Sequence, residues 1–375
     1  MATIYDAAQR AGVTAATVSN VVTGKGKVSK ERCARVLAAL TEVDYRPNLL
    51  ARGLARRRSL TLALLLPNIA DPFYPEIGLE VERIARERGY HLLLCNTHDD
   101  TGLGRTRLES LSGRLVDGFL AMAGGLDLSD VVTIHERGLP LVLCNWCHQA
   151  DERHDSLPSV DIDFRAAGEL VARHVLALGH TRVGVIVPEN AAHRPSHLRI
   201  LEGVRATLGQ HRITLQDGCV TYADESTEGG YDAAARLITA PNHPTAIFAA
   251  GDIVALGVLQ AASDRGLRVP ADLSLVGVDD IALGAHLRPA LTAIAVPTRD
   301  LARAATELLL RVVEGLEMAR QPHARHIAIH PSLVVHDSTA SARGSPTASA
   351  VAASNASSLS ERTCFAEKWR AWGPL

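Results

Sequence analysis

Cysteine, aromatic residues and long apolar runs are all scarce in this chain. It has 375 residues, of which six are cysteine and 4% are aromatic. So few cysteines cannot build the dense disulfide framework of a small secreted protein. The longest apolar run, residues 60–66, is far too short to cross a bilayer. No signal peptide precedes the first amphipathic segment, so we expect a cytoplasmic protein that does not bind membranes.

Motifs of common catalytic sites are also missing. The sequence contains no Walker loop, no nucleophile elbow and no glycine-rich dinucleotide loop after a strand. Its sixteen histidines form no HExxH motif, and the CxxC pair of Cys144 and Cys147 lacks the second pair of a zinc site. We therefore expect no enzymatic activity, no cofactor and no metal ion.

The formal net charge of −2 hides an uneven distribution. Residues 1–58 contain eleven Lys and Arg against four Asp and Glu, whereas the rest of the chain contains 28 against 37. A basic segment joined to an acidic body is typical of a protein with a separate nucleic-acid-binding part. The length allows two or three domains.

Two short amphipathic helices are predicted within residues 3–23. Their inward-facing apolar positions are Ile4, Ala8 and Ala11 in the first helix, and Val18, Val21 and Val22 in the second. Gly12 suits the left-handed end of the first helix, and Thr14 suits the N-cap of the second. Because the turn between them is so tight, the two helices must cross steeply, as in a helix-turn-helix.

The second helix leaves a face of small and polar residues outside: Ala15, Ala16, Ser19 and Asn20. Small side chains let a helix enter the major groove, where Asn can hold adenine by two hydrogen bonds and Ala can contact a thymine methyl. The alternative is an alanine-rich segment of a larger helical domain. A third helix, capped by Ser29, has an apolar stripe that can cover the first two: Cys33, Val36, Leu37 and Leu40.

Residues 47–58 form a basic segment with Pro47 near its start and Gly53 inside it. Gly53 weakens a helix by about 1 kcal/mol relative to Ala. We therefore predict a hinge that becomes helical only when it docks on DNA. The alternative is a basic, solvated linker.

From residue 60 the chain alternates short apolar runs with amphipathic helices. The predicted strands are 62–66, 91–95, 118–121, 141–144, 183–187, 246–250 and 273–277. The predicted helices include 75–87, 164–178, 197–208, 229–239 and 253–265. This alternation indicates two doubly wound parallel sheets, which bind small ligands at the carboxyl ends of their strands.

Several stretches, in this order, resemble the lactose/galactose repressor family of bacterial transcription regulators. They include TIYDAAQRAGVTAATVSNVV, VSKERCARVLAAL, YRPNLLARGLARRRS, DPFYPEIGLEVERIARERGYHLLL and PTAIFAAGDIVALGVLQAASDRGLRVPADLSLVGVDD. The resemblance covers roughly residues 2–337. It implies an all-α helix-turn-helix headpiece followed by an α/β effector domain of two lobes, similar to periplasmic binding proteins.

The domain boundaries follow from that resemblance. They are a headpiece at 1–46, a hinge at 47–58, an N-terminal lobe at 59–161 and 293–323, and a C-terminal lobe at 162–292 and 324–337. The Ser- and Ala-rich residues 338–375 are expected to form a disordered tail. No apolar heptad helix of the kind that forms tetramers in the family is visible there, so we expect a homodimer.

The resemblance also assigns contacts with a pseudo-palindromic operator in double-stranded DNA. Base contacts would come from Ala15, Ala16 and Asn20. Phosphate contacts would come from Thr3, Tyr5, Thr17, Ser19 and Lys27. The hinge would add Asn48 and a minor-groove wedge, Leu54, between Arg52 and Arg56.

For a small-molecule effector, the resemblance implies a site between the lobes formed by Phe73, Tyr74, Asn145, Asp163, Arg199, Tyr222, Asp252 and Asp279. Asp252 could instead only cap the helix that it begins. The family usually places an arginine three residues before the glycine of its RxxG motif. Here Ile200 stands at that spacing from Gly203, so Arg199 is displaced by about 100° around the helix. His193, Arg194 or His197 could take its role.

Together these features predict a transcriptional repressor controlled by a sugar-like effector, or next by a nucleobase. The rivals are a solute-binding transport protein, a cytosolic enzyme that modifies sugars or nucleotides, and an architectural DNA protein. The transport protein would need an export signal and leaves residues 1–58 unexplained. Turnover of a sugar would support the enzyme, and a ligand-induced thermal shift would exclude the architectural protein.

Overall fold

The structure, a computed structural model, describes residues 2–23, 28–44, 58–112, 115–146, 157–189, 195–315 and 326–343. The chain divides into two compact units. The first contains residues 1–61 and 114–117, and the second contains the rest of the chain. Each unit is described separately.

The described residues of the first unit form three helices, α1 (Ile4–Ala11), α2 (Ala15–Thr23) and α3 (Lys30–Glu42). Thr3 and Asp6 form a capping box at the start of α1, with the Thr3 N–H donating to Asp6 Oδ2 over 2.7 Å. Gly12 ends that helix in the left-handed conformation at φ 64°. The Thr14 hydroxyl then accepts from the Thr17 N–H, so the predicted cap of α2 is confirmed.

A small apolar core joins these three helices. Its buried members are Ala7, Ala8, Ala11, Val18, Val36 and Ala39. The prediction for α3 was partly wrong, because Leu37 is exposed and Ala39 is buried in its place. Val36 and Ala39 pack with the alanines of α1 in this core, which leaves Leu37 on the outer side of α3.

The second unit contains two parallel-stranded sheets, which confirms the predicted fold class. The strands in chain order are β1 (Thr61–Leu66), β2 (His91–Asn96), β3 (Gly118–Met122), β4 (Leu141–Cys144), β5 (Ser159–Ile162), β6 (Val183–Pro188), β7 (Val220–Ala223), β8 (Ala246–Ala249), β9 (Ser274–Asp279), β10 (Thr292–Ala295), β11 (His326–Ile329) and β12 (Ser332–Val334). The helices are α4 (Phe73–Glu87), α5 (Thr101–Ser112), α6 (Leu128–Glu136), α7 (Phe164–Ala177), α8 (Pro195–Gln210), α9 (Thr227–Thr239), α10 (Asp252–Asp264) and α11 (Thr298–Glu314).

Each lobe is built on one six-stranded sheet. The order is β11-β5-β4-β3-β1-β2 in the N-terminal lobe and β12-β10-β9-β8-β6-β7 in the C-terminal lobe. The central strands are apolar along their length because helices cover both faces; β1, β3 and β8 bury nearly every residue. Among the described strands of the C-terminal lobe, β12 pairs with β10 in the antiparallel direction, and the other pairings are parallel.

The chain passes between the lobes three times, and two of the predicted positions need correction. The first crossing follows β5 near residue 162, as expected. The second was predicted near 292, but β10 pairs with β9, so residues 293–295 belong to the C-terminal lobe. The third was predicted near 324, but β11 pairs with β5 and β12 with β10, so the chain crosses after Ile329. These strands have three or four residues, too few for an apolar pattern to assign them to a lobe.

Residues 338–343 are part of the C-terminal lobe, so the predicted start of a disordered tail at 338 was wrong. The fully buried Ser338 accepts from the Thr292 N–H over 2.8 Å and donates to the Leu275 carbonyl over 2.6 Å. Its own carbonyl accepts from the Leu275 N–H. Backbone pairing, which composition cannot reveal, therefore fixes this segment. Residues 344–375 lie outside the described part of the chain.

Candidate functional site

The outward face of α2 has the composition predicted for DNA reading. Val18 is fully buried, and Ala16 and Asn20 are exposed one turn apart on the other side of the helix. Ala15, Thr17 and Ser19 are partly buried along its edges. The helix therefore presents a narrow surface with one amide group that can reach a base edge.

The predicted phosphate contacts divide into described and undescribed residues. Tyr5 is 73% exposed, so its hydroxyl is accessible to a partner. The Thr3 side chain is already engaged in the capping box with Asp6. The predicted contacts outside the described residues are Lys27, Asn48, Arg52, Leu54 and Arg56.

A small cleft, open to solvent, lies in the second unit where strands of both sheets end. Residues at or just after the ends of β1, β3, β4, β7, β8 and β9 line it, together with the first residues of α4, α7, α8 and α10. Its polar lining consists of Asp71, Asn145, Ser196, His197, Glu225, Asp252 and Asp279. This is the position where doubly wound sheets bind small ligands.

The predicted aromatic residues form one wall of the cleft. Phe73 and Tyr74 begin α4, and their rings make an edge-to-face contact with centroids 5.1 Å apart. The Asp71 carboxylate accepts from the Phe73 N–H over 3.0 Å and so fixes the start of the helix. Such a wall can pack against the carbon framework of a sugar or the face of a base.

Asp252 and Asp279 lie on the opposite wall, in the C-terminal lobe. Asp252 is only 2% exposed, and its Oδ2 accepts from the Ile281 N–H over 2.8 Å. It does not cap α10, because Gly251 occupies the N-cap and no side-chain bond is made there. The alternative prediction from the sequence, that Asp252 only caps this helix, is therefore wrong.

Burial raises the pKa of Asp252 to about 8, and the negative charges of Asp280 and Asp71 add to this effect. Burial likewise raises the pKa of Asp279 well above its usual range, with contributions from Asp252 and Asp71. Asp279 also has a φ of 103°, a strained value for a residue other than glycine. Strain and shifted protonation together are typical of a binding or catalytic site.

Asn145 reaches the cleft from the end of β4. Its φ is 59°, and its side-chain oxygen accepts from the Ile162 N–H over 3.2 Å. The amide therefore joins β4 to β5 close to the first crossing between the lobes. Cys144, the preceding residue, is buried, and burial raises the pKa of its thiol, so it does not provide a reactive thiolate.

Three predicted effector residues do not line the cleft. Asp163 caps α7, because its carboxylate accepts a hydrogen bond from the Ala166 N–H at the start of that helix. Tyr222 is 47% exposed on β7, an edge strand of its sheet. Arg199 points outward and pairs with Glu202 over 3.1 Å. Its helix is held in that rotation because Ile200 is fully buried.

His197, which the sequence offered as a substitute for Arg199, does line the cleft. Its Nε2 lies 3.4 Å from Glu225 Oε1, with both side chains mostly buried. Asp71, Ser196 and Glu225 were not predicted. Each follows a strand end or begins a helix, a position that could have identified them. His193 and Arg194 lie outside the described residues.

Comparisons with known proteins agree with this geometry. Residues 3–48 match "Bacterial regulatory proteins, lacI family", and residues 172–339 match a periplasmic binding protein-like domain. The chain is 32% identical over 343 residues to the HTH-type transcriptional repressor PurR of Pectobacterium carotovorum subsp. carotovorum (strain PC1), covering 91% of this chain and 97% of that one.

Two solved structures extend the comparison. A complex of the transcriptional regulator CelR with cellobiose is 28% identical, with a TM-score of 0.67, and covers 90% of this chain and all of its own. The lac repressor dimer bound to operator and the anti-inducer ONPF is 26% identical, with a TM-score of 0.79, and covers 90% of this chain and 99% of its own. Across the described residues, no helix is both long and apolar enough for a membrane span.

Proposed function

The chain belongs to the lacI family of bacterial regulatory proteins, and from this membership we propose that it is a repressor whose operator binding responds to a small molecule in the cleft. The headpiece would read operator DNA in the cytoplasm, with residues 47–58 as the hinge. Its relatives include the transcriptional repressor PurR and the ribose operon repressor of Escherichia coli (strain K12), and we propose no catalytic reaction for the cleft.

The exposed pair of Ala16 and Asn20 on α2 carries the DNA-binding part of this proposal. Asn20 is the polar residue of that pair, and its amide can form two hydrogen bonds with an adenine edge. Thr3, Tyr5, Ala15, Thr17 and Ser19 would surround this contact. From the undescribed segments, Lys27, Asn48, Arg52 and Arg56 would hold phosphates, and Leu54 would enter the minor groove.

The cleft supports control by a small polar molecule. Phe73 and Tyr74 provide an apolar wall, and Asn145, Asp252 and Asp279 provide hydrogen-bonding groups across from it. Because both lobes contribute, a ligand that binds the closed arrangement more tightly than the open one would shift the balance between them. A sugar derivative is our first candidate, in line with the cellobiose complex of CelR, and a nucleobase is the second.

An exposed apolar surface on the N-terminal lobe supports a homodimer. Leu79 on α4 is 72% exposed, and Leu93 and Leu94 on β2 are each more than 40% exposed. Since β2 is an edge strand, a second copy could cover both the strand and α4. A dimer would place two headpieces on the two halves of a pseudo-palindrome. Sedimentation of the purified chain as a monomer at working concentration would contradict this arrangement.

Selection from random duplexes tests the proposal directly. We expect the full chain to enrich a palindrome at moderate salt. Asn20→Ala should lose preference at one base pair of each half-site, at a cost of about 1–3 kcal/mol. Gln9→Ala, an exposed change on α1, is the matched control and should leave the enriched sequence unchanged. Salt-sensitive binding without any enriched sequence would refute sequence-specific reading.

A further inference from the structure

The cleft is strongly acidic. Four carboxylates line it: Asp71, Glu225, Asp252 and Asp279. Among the described lining residues, His197 is the single basic side chain, and it lies against Glu225. Arg199, which could have supplied a positive charge, is directed toward Glu202 outside the cleft.

Among the described residues, one carboxylate oxygen at this site has no hydrogen-bond partner. Asp252 Oδ2 is bound by the Ile281 N–H, whereas Oδ1 is buried and no donor among the described residues reaches it. The sheet leaves space for that oxygen, since a Cβ on Gly277 would lie only 2.2 Å from it. A buried acceptor left unsatisfied is costly unless a ligand provides the donor.

The charged groups around Asp252 come from several elements. Asp71 follows β1, Asp279 ends β9 and Asp280 follows it, Glu225 precedes α9, and His197 lies on α8. Glu76 on α4 adds to the negative potential at Asp279. Carboxylates that face one another at a dry site either take up protons or bind a positive charge.

We propose that the cleft binds a cationic effector, a small polyhydroxylated molecule with an ammonium or guanidinium group whose N–H donates to Asp252 Oδ1. The positive charge would lie between Asp252, Asp279 and Asp71, and the carbon framework would pack against Phe73 and Tyr74. This inference rests on the proposed function, because it names the chemical class of the same effector. The ionised carboxylates of the cleft would repel an anionic sugar derivative, which we therefore expect to bind more weakly than the cation.

At this site the affinity for a cation should rise with pH, whereas the affinity for a neutral ligand that accepts the carboxyl proton should fall. Because the pKa of Asp252 is raised to about 8, its carboxyl is mostly protonated at pH 7 in the ligand-free protein. A cation binds the ionised form and releases the proton, so its affinity should rise about tenfold from pH 6 to pH 7 and about fivefold from pH 7 to pH 8. A neutral ligand that accepts the carboxyl proton should bind more weakly over the same interval.

Matched ligands of three charges provide the test on the full chain. One set is N-methylglucamine, sorbitol and gluconate, and a second is glucosamine, glucose and glucuronate. Thermal shift and titration calorimetry at pH 6, 7 and 8 should show the cation binding at least tenfold more tightly than its neutral counterpart. N-methylglucamine keeps its charge across this interval and reports the linkage. Tighter binding of a neutral or anionic member, or no binding of either cation, would overturn the proposal.

Three variants connect the binding result to the named groups. Asp252→Asn should abolish both the preference for the cation and its dependence on pH. Asp264→Asn changes an exposed carboxylate at the far end of the same helix and should retain both. Glu225→Gln should reduce the preference severalfold and gives a second readout if Asp252→Asn fails to fold. Equal loss in Asp264→Asn would remove Asp252 as the specific contact.

Operator binding measured in parallel separates this inference from the proposed function. A neutral sugar that binds the cleft and alters operator affinity would refute the cationic class and leave the regulatory role intact. A cation that binds with the expected pH dependence but never alters operator affinity would support the cationic class of ligand. It would refute the proposal that this ligand controls operator binding.

Discussion

Replacement of Gly203 by alanine should destabilise the C-terminal lobe, although alanine favours helices. Gly203 lies within α8, where the helix packs closely on α7. A Cβ at Gly203 would lie 2.1 Å from the Arg165 carbonyl oxygen, and one at Gly168 would lie 2.0 Å from the Ile200 carbonyl oxygen. The two helices therefore meet through facing glycines, with backbone against backbone.

The magnitude follows from two opposing effects. Replacing glycine by alanine in a helix gains about 0.5–1 kcal/mol from the reduced entropy of the unfolded chain. Overpacking costs about 1–3 kcal/mol, and the upper end applies because a backbone carbonyl cannot move aside as a side chain can. We expect Gly203→Ala to lose about 2 kcal/mol of unfolding free energy.

Gly209 provides the control within the same helix. No atom lies within 4 Å of a Cβ at that position, so Gly209→Ala should be neutral or up to about 1 kcal/mol more stable. Urea unfolding followed by circular dichroism would compare both variants with the parent. If Gly203→Ala unfolds at the same urea concentration as Gly209→Ala, the close packing of α7 and α8 is refuted.

Three further changes test separate parts of the molecule. Leu54→Ala should weaken specific DNA binding and reduce bending in a gel-shift assay; unchanged bending would refute the wedge. The gain in stability of Asp252→Asn over the parent should be larger at pH 8 than at pH 5. The reason is that the raised native pKa of Asp252 makes the parent lose stability as pH rises between about 4 and 8. Equal shifts in melting temperature at the two pH values would contradict this. Asp117→Ala should cost about 1–3 kcal/mol in unfolding free energy, since its carboxylate accepts from the N–H groups of Ser59 and Leu60; no change in urea midpoint would refute that role.

Much of the fold could be predicted from apolar periodicity. The predicted strand at 141–144 matches β4 at both ends, and the helix predicted at 164–178 differs from α7 by one residue. Long central elements carry such patterns because they are covered on one or both faces. β10, β11 and β12 have only three or four residues, and their place depends on partners distant in the sequence. Local patterns therefore left two crossings between the lobes misplaced.

The residues of the cleft, like the strands, could be predicted only in part from the sequence. Asn145, Asp252 and Asp279 could be predicted because they lie at or just after strand ends, and the ends of parallel strands meet at one edge of a sheet. The rotation of α8 could not be predicted, since one residue changes the direction of a side chain by about 100°. The facing glycines of α7 and α8 set that rotation, which brings His197 into the cleft and leaves Arg199 outside.

The late position of β11 and β12 in the chain has a consequence for synthesis on the ribosome. An edge strand of each sheet, and the segment around the buried Ser338, emerge only after more than 320 residues have been translated. The three-helix headpiece, in contrast, can form while the rest is still being made. A nonsense mutation upstream of His326 would yield a chain with a foldable headpiece and two incomplete lobes. Such a product should be degraded rather than compete with the intact protein for DNA.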